Sequence, residues 1–181
     1  MRRPLASCLR LLAAVLAASS VLHAQAPGLS VTPIAREGRV LVSFDLADGF
    51  SPEVRDAIQS GLATTFSYRV ELRRGTSLFN RTVAAVRLEA SVRFDNLTRR
   101  YQMSRAVEGR VEEARPSEDL VAVRRWLTHF EQVLLSDTSA LEQNGEYYVR
   151  VRAQTRPYNT WFFWPWDRGT VYGQAKFTFI P

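Results

Sequence analysis

Proton transfer near neutral pH calls for a histidine, a thiolate or a carboxylate with a perturbed pKa. The chain offers two histidines and one cysteine in 181 residues. Cys8 and His23 fall in the apolar leader described below, which leaves His129 as the imidazole of the body. A body without the leader has no thiolate nucleophile, no cysteine metal site and no zinc site built on two histidines. Paired carboxylates are the remaining route, since glycoside hydrolysis needs only two. The close pairs are Asp45 with Asp48, Glu112 with Glu113, and Glu118 with Asp119. The last pair fits a helix start, and the others fall in expected turns or on solvent-facing positions. The spacing around His129 turns it to solvent on a helix. No phosphate-binding loop, G-x-S-x-G elbow, EF-hand loop or HExxH helix occurs. The reading is non-enzymatic, with no metal and no cofactor.

Binding chemistry is concentrated near the C-terminus. Trp161, Phe162, Phe163, Trp164 and Trp166 put five rings into six positions, interrupted by Pro165 and flanked by Arg156 and Arg168. Each large ring buries about 150–250 Å², so five bring on the order of 1,000 Å². The largest exposed apolar patch of an ordinary monomer is only about 300–600 Å². Something must cover part of this segment. Three covers are open: the segment folds back as core, it meets a membrane interface where tryptophan is favoured, or it docks a partner, since Trp, Tyr and Arg dominate hot spots.

The first residues give an address. A basic Met1–Pro4, an apolar Leu5–Leu22 broken by Arg10, and small residues around Ala24 have the form of a secretory signal. Cleavage after Ala24 is expected, leaving one domain over residues 25–181; a retained anchor is the alternative. A span needs about 20 apolar residues, and this run is slightly short. Leu5–Cys8 resembles a lipoprotein box but precedes most of the apolar run that such a box must follow. The expected location is the periplasm or the outer face of the inner membrane. Without Arg2, Arg3 and Arg10 the body carries 21 basic against 18 acidic residues, too mild a balance for nucleic acid. Its strand arginines are interleaved with Glu71, Glu89, Asp95 and Glu146, so cross-strand ion pairing is expected.

Period-two alternation dominates the body. Val40–Leu46, Phe66–Leu72, Ala84–Phe94, Tyr147–Ala153 and Val171–Phe179 each place apolar residues on one face and polar residues on the other, as in antiparallel sheets with one wet face. Glu37-Gly38, Asp95-Asn96 and Asn144-Gly145 are hairpin signals. Two segments switch to helical spacing. Ser51 caps and Pro52 opens the first, which ends at Gly61. The second starts after Ser117 and carries Leu120, Val123, Leu127, Phe130 and Leu134 on one stripe. Loops are expected at 75–80, 112–116, 136–144 and 156–170. The fold class is α+β: a mainly antiparallel sheet or sandwich of six to eight strands with two short helices.

These residues resemble an exported bacterial family catalogued as domain of unknown function 4390. The resemblance lies in "SPEVRDAIQSGLATTFSYRVEL" (Ser51–Leu72), with its Pro-Glu helix start, Ser-Gly end and Val-Glu-Leu strand, and in "FDNLTRRYQM" (Phe94–Met103). The helix after Ser117 and "EYYVRVRA" fit as well, and Trp166-Asp167 with Thr170 is similar to a C-terminal Trp-Asp-x-x-Thr element of members. The resemblance implies no activity. Members encoded beside nitrogen-regulation-type sensor kinases imply a role near envelope signalling. The leading expectation is therefore an envelope-located accessory domain that binds a protein partner through the aromatic segment. The alternative is a module for lipid or another hydrophobic ligand, with that segment at the mouth of a groove.

Overall fold

A computed structural model describes residues 28–75, 80–157 and 170–180. The chain runs β1 (Leu29–Arg36), β2 (Arg39–Leu46), α1 (Pro52–Gln59), β3 (Thr64–Gly75), β4 (Asn80–Asp95), β5 (Arg100–Val107), β6 (Arg110–Ser117), α2 (Leu120–Thr128), β7 (His129–Asp137), a 3-10 turn (Thr138–Ala140), β8 (Glu146–Pro157) and β9 (Val171–Thr178). These strands form two antiparallel sheets, β1-β2-β7 and β6-β5-β4-β3-β8-β9.

The alternation seen in the sequence becomes the interior. Val40, Val42, Phe44 and Leu46 of β2 face Phe66, Tyr68, Val70 and Leu72 of β3 within one buried core, extended by Leu88, Ala90 and Val92 of β4 and by Val149 and Val151 of β8. Ile58 of α1 is fully buried in the same cluster. The Ser51 hydroxyl accepts from Val54 N at 3.4 Å, with Pro52 in the first helical turn. Gly61, at φ +88°, closes the helix in a conformation a side chain would strain.

The two sheets meet along a seam. A Cβ on Gly173 of β9 would stand 2.6 Å from the Leu29 carbonyl oxygen of β1, so the absence of a side chain is what lets the two strands approach. At one end of the seam Gly28 lies beside Val171, whose Cγ1 is 3.6 Å from where a Cβ of Gly28 would be.

Nine strands appear among the described residues, more than the alternation reveals, and three expectations are corrected. The 112–116 loop is instead part of β6, whose residues are solvent-facing on both sides and so carry no alternation. The second helix does not continue to Leu134; it stops at Thr128 and the chain turns directly into β7. Phe130 is buried at 5% exposure but on a strand, whereas Leu134 is 54% exposed. A left-handed Gln132 (φ +51°) shifts the alternation so that Leu135 is buried in its place. Asn144 has the expected positive φ of 57°, but its turn follows the 3-10 segment and bonds Asn144 N to the Phe179 carbonyl at 2.9 Å, closing no two-strand hairpin. Glu108-Gly109 is the better hairpin turn, with φ +49° and +79° between β5 and β6.

The helix ends early because its last carbonyls are taken from outside. The Tyr68 hydroxyl of β3 donates to the Leu127 carbonyl at 2.6 Å. The Arg105 guanidinium of β5 donates to the Trp126 and His129 carbonyls, both at 2.7 Å. Those oxygens are among the four that every α-helix leaves unpaired, and a cation there also suits the negative end of the dipole. Arg105 sits between two rings, 4.4 Å from the Trp126 centroid and 4.2 Å from that of Phe130. Phe44, Tyr68 and Phe130 pack mutually at 4.9–5.1 Å, joining both sheets to the turn. Burial raises the Tyr68 hydroxyl pKa above its ordinary value, so it serves as a donor. Tyr68→Phe should leave the Leu127 carbonyl unpaired and cost about 1–3 kcal/mol in urea denaturation, with little change in the slope of the transition.

Candidate functional site

The aromatic residues expected to bind, Trp161, Phe162, Phe163, Trp164 and Trp166, lie outside the described residues, as does Arg168. Arg156 lies in β8, in register with Thr65 of β3. The points between which that segment runs are described. It leaves β8 after Pro157 and rejoins β9 at Val171, in register with Ala153 of β8. The Thr170 hydroxyl accepts from Arg152 at 3.2 Å and from Gln154 at 3.3 Å. Thr170, the residue before β9, is thus tied to the outward face of β8.

That face is the wet side of the six-stranded sheet, and the register arranges its charges. Arg69 of β3 stands directly opposite Arg87 of β4 on one side and Arg152 of β8 on the other. Arg152 in turn stands opposite Tyr172 of β9, with its guanidinium 5.7 Å from the ring centroid. Three arginines therefore line up across neighbouring strands that lie about 4.7–4.9 Å apart. Arg87, Arg69 and Arg152 are all exposed.

Among the described residues, none of Glu71, Glu89, Asp95 and Glu146 forms the expected ion pair across strands, although Glu71 stands opposite Arg150 and Asp95 opposite Arg100. Arg69 bonds Glu71 at 2.7 Å, on its own strand. Glu89 is opposite Ser67, and Glu146 is opposite Thr178. The Asp95 carboxylate is turned into its own turn, accepting from the Thr98 hydroxyl at 2.8 Å and from Leu97 N at 2.9 Å. These hydrogen bonds, the Thr98 hydroxyl first, hold its pKa below the usual carboxylate value. Like charges set directly opposite one another destabilise a sheet, so this row is a local cost of the fold.

Beside the row lies a shallow recess of about 290 Å³ lined by Gly75, Glu146, Tyr147, Tyr148, Arg150, Gln174 and Lys176. Its polar groups continue the same outward face, for Arg150 is opposite Glu71 and Gln174, and Lys176 is opposite Tyr148. Across the edge of the sheet, Arg74 forms a two-point ion pair with Glu142, one arm at 2.6 Å.

A second cluster forms at the α2–β7 junction. His129 is not a helix residue turned to solvent; it closes α2, opens β7 and is half-buried. Its Nδ1 lies 3.1 Å from Asp45 Oδ2 and its Nε2 lies 2.7 Å from Glu131 Oε1. Glu131 also accepts from Arg125 at 2.9 Å. The chain thus brings its body imidazole to two carboxylates, one of which, Asp45, the sequence singles out. Both ring nitrogens are spent on those carboxylates, so a proton could pass to a substrate only after the cluster opened. The other carboxylate pairs separate: Glu118 bonds Arg100 at 2.9 Å, Asp119 caps α2 through Val121 N and Ala122 N, and Glu113 faces Arg115 at 3.8 Å. Among the described residues, no group of three or more histidine, cysteine or acidic side chains could hold a metal ion. No helix among them is long and apolar enough to cross a membrane.

A family model described as a domain of unknown function, number 4390, matches residues 29–159. The chain belongs to this family. No curated protein and no solved structure matches it. The family match begins with β1 and ends just past β8, so the arginine row is inside it. The five rings at 161–166 and all of β9 lie beyond it.

The sequence points to the aromatic segment but not to the arginine row. Alternation shows that Arg69, Arg87 and Arg152 face solvent; it cannot show that they are neighbours, because that depends on a pairing of β3 with β8 across more than eighty residues of chain. At the second cluster the pH dependence has a definite sign. Hydrogen bonds from His129, then from Arg125, hold the Glu131 carboxyl below its ordinary pKa. A depressed carboxyl stabilises the fold above its unfolded pKa, and that contribution fades as pH falls through the folded value. Carbon-detected NMR titration should place Glu131 below ordinary glutamates, and His129→Ala or Arg125→Ala should move its midpoint upward.

Proposed function

We propose that this domain is a non-enzymatic binding module of the bacterial cell envelope. It is exported by its leader, works in the periplasm or at the outer face of the inner membrane, and acts by docking a protein partner. A membrane-bound sensor is the partner class that the family resemblance suggests. The observation that carries the reading is the bond of Thr170 to Arg152 and Gln154. It holds Thr170, four residues after Trp166 in the sequence, on a sheet face rich in arginine. Aromatic rings beside arginines are the composition of energetic hot spots at protein interfaces.

The double variant Trp164→Ser/Trp166→Ser should lose capture of the envelope partner while its melting temperature stays close to that of the parent chain. A large loss of stability would instead assign these rings to the core. Native mass spectrometry of the purified chain separates the reading from a module for lipid or another hydrophobic ligand: lipid that co-purifies and is lost in the tryptophan variant would replace the protein partner.

A further inference from the structure

We infer that the row formed by Arg87, Arg69 and Arg152 is a docking site for an extended, acidic segment of a protein partner. This rests on the protein-binding reading above and names the chemistry of the partner.

Arg69 has an arginine directly opposite it on each neighbouring strand. Its nearby compensation is Glu71 on its own strand, at 2.7 Å. Among the described residues no acidic side chain forms an ion pair with Arg87 or Arg152. Around the row Arg69, Arg87, Arg93, Arg150, Arg152 and Lys176 stand against Glu71, Glu89 and Glu146, with the Glu108 carboxylate accepting from Arg87 N at 2.6 Å. What is local is the row itself, three arginines in direct register with no acidic residue opposite any of them in it. A sheet that needed only solubility would set its charges in alternating sign across strands. Here like charges are aligned, and an anion laid along them would relieve the repulsion.

The geometry suits carboxylates on an extended chain. Guanidinium forks bind carboxylate oxygens two at a time, which a compact ammonium cannot do. The row spans two strand spacings, about 10 Å. Alternate side chains of an extended peptide recur about every 6.8 Å, within reach of long arginine stems. At the β9 end of the row Tyr172 is half exposed and stands beside Arg152, offering an apolar contact at one end.

Interleaved acids decide between a peptide and an anionic lipid surface. Glu71 and Glu89 flank the row, and Glu146 lines the adjoining recess. A uniformly negative membrane surface would meet all three as repulsion. A peptide that alternates acidic with polar residues can match both signs, and such patterning sets the register of a partner.

The test uses the purified full chain and a labelled dodecapeptide of alternating glutamate and serine, followed by fluorescence anisotropy. Binding should appear at low salt, weaken as salt rises, and fail with the glutamine-serine counterpart. Arg69→Thr/Arg152→Thr should weaken it about tenfold or more, whereas Arg39→Thr, in β2, should not change it. The double variant should melt close to the parent, because threonine suits a strand and relief of the like-charge contact offsets loss of the exposed Arg69–Glu71 pair and the Arg152–Thr170 bond. Equal binding by the double variant, or equal binding of the glutamine peptide, would overturn the proposal. So would arginine-dependent binding to phosphatidylglycerol vesicles without binding of the peptide. If Trp164→Ser/Trp166→Ser abolishes partner capture while the arginine variant does not, the row fails and the docking reading stands. Peptide binding that depends on the arginines, with capture indifferent to the tryptophans, retains the row and removes the aromatic segment from the interface.

Discussion

The fold depends on the capture of one helix end by two side chains from the opposite sheet. Arg105 and Tyr68 take the carbonyls of Trp126, Leu127 and His129 that α2 cannot satisfy itself. Because those oxygens are already paired, the chain is free to leave the helix at Thr128 and enter β7 without an intervening loop. Strand β7 then pairs with β2 and completes the smaller sheet. The stacked Trp126, Arg105 and Phe130 fill the gap that so abrupt a turn would otherwise leave. Burial lowers the Arg105 pKa, but a guanidinium keeps its charge at any pH the protein experiences, so this connection does not depend on titration.

The parts of the architecture legible in the sequence are those set by one strand's own environment. Val40, Phe44, Tyr68, Val70, Leu88, Val149 and Val151 are buried where period-two spacing puts them. The first helix is similarly local, with its cap, its proline and its closing glycine all within a dozen residues. What the sequence hides is set by distant partners. The stripe from Leu120 to Leu134 is helical by spacing, yet Phe130 serves a strand because Arg105 and Tyr68, from elsewhere in the chain, end the helix first. β6 is hidden for the opposite reason: it is exposed on both faces, so it has no pattern to show.

The same division runs through the candidate surface. Composition alone draws attention to the aromatic cluster, since five rings within six residues is a local property. The arginine row is a property of register, created where β4, β3 and β8 come together. Its location within the family match, and the location of the rings beyond it, divide the proposed interface. One half belongs to the shared body and the other to the sequence that follows it. Thr170 links the two through Arg152.

The proximity of Gly28 to Val171 has a geometric result. Chain arriving from upstream of residue 28 and chain arriving from the tryptophan-rich connection enter the body at neighbouring points, on the edge where β1 meets β9. A leash attached upstream, whether a leader still in place or a fused domain, would therefore pull on that corner and no other. Because β6 and β9 are the two opposite edges of the larger sheet, the β6 edge is the one left farthest from such an attachment.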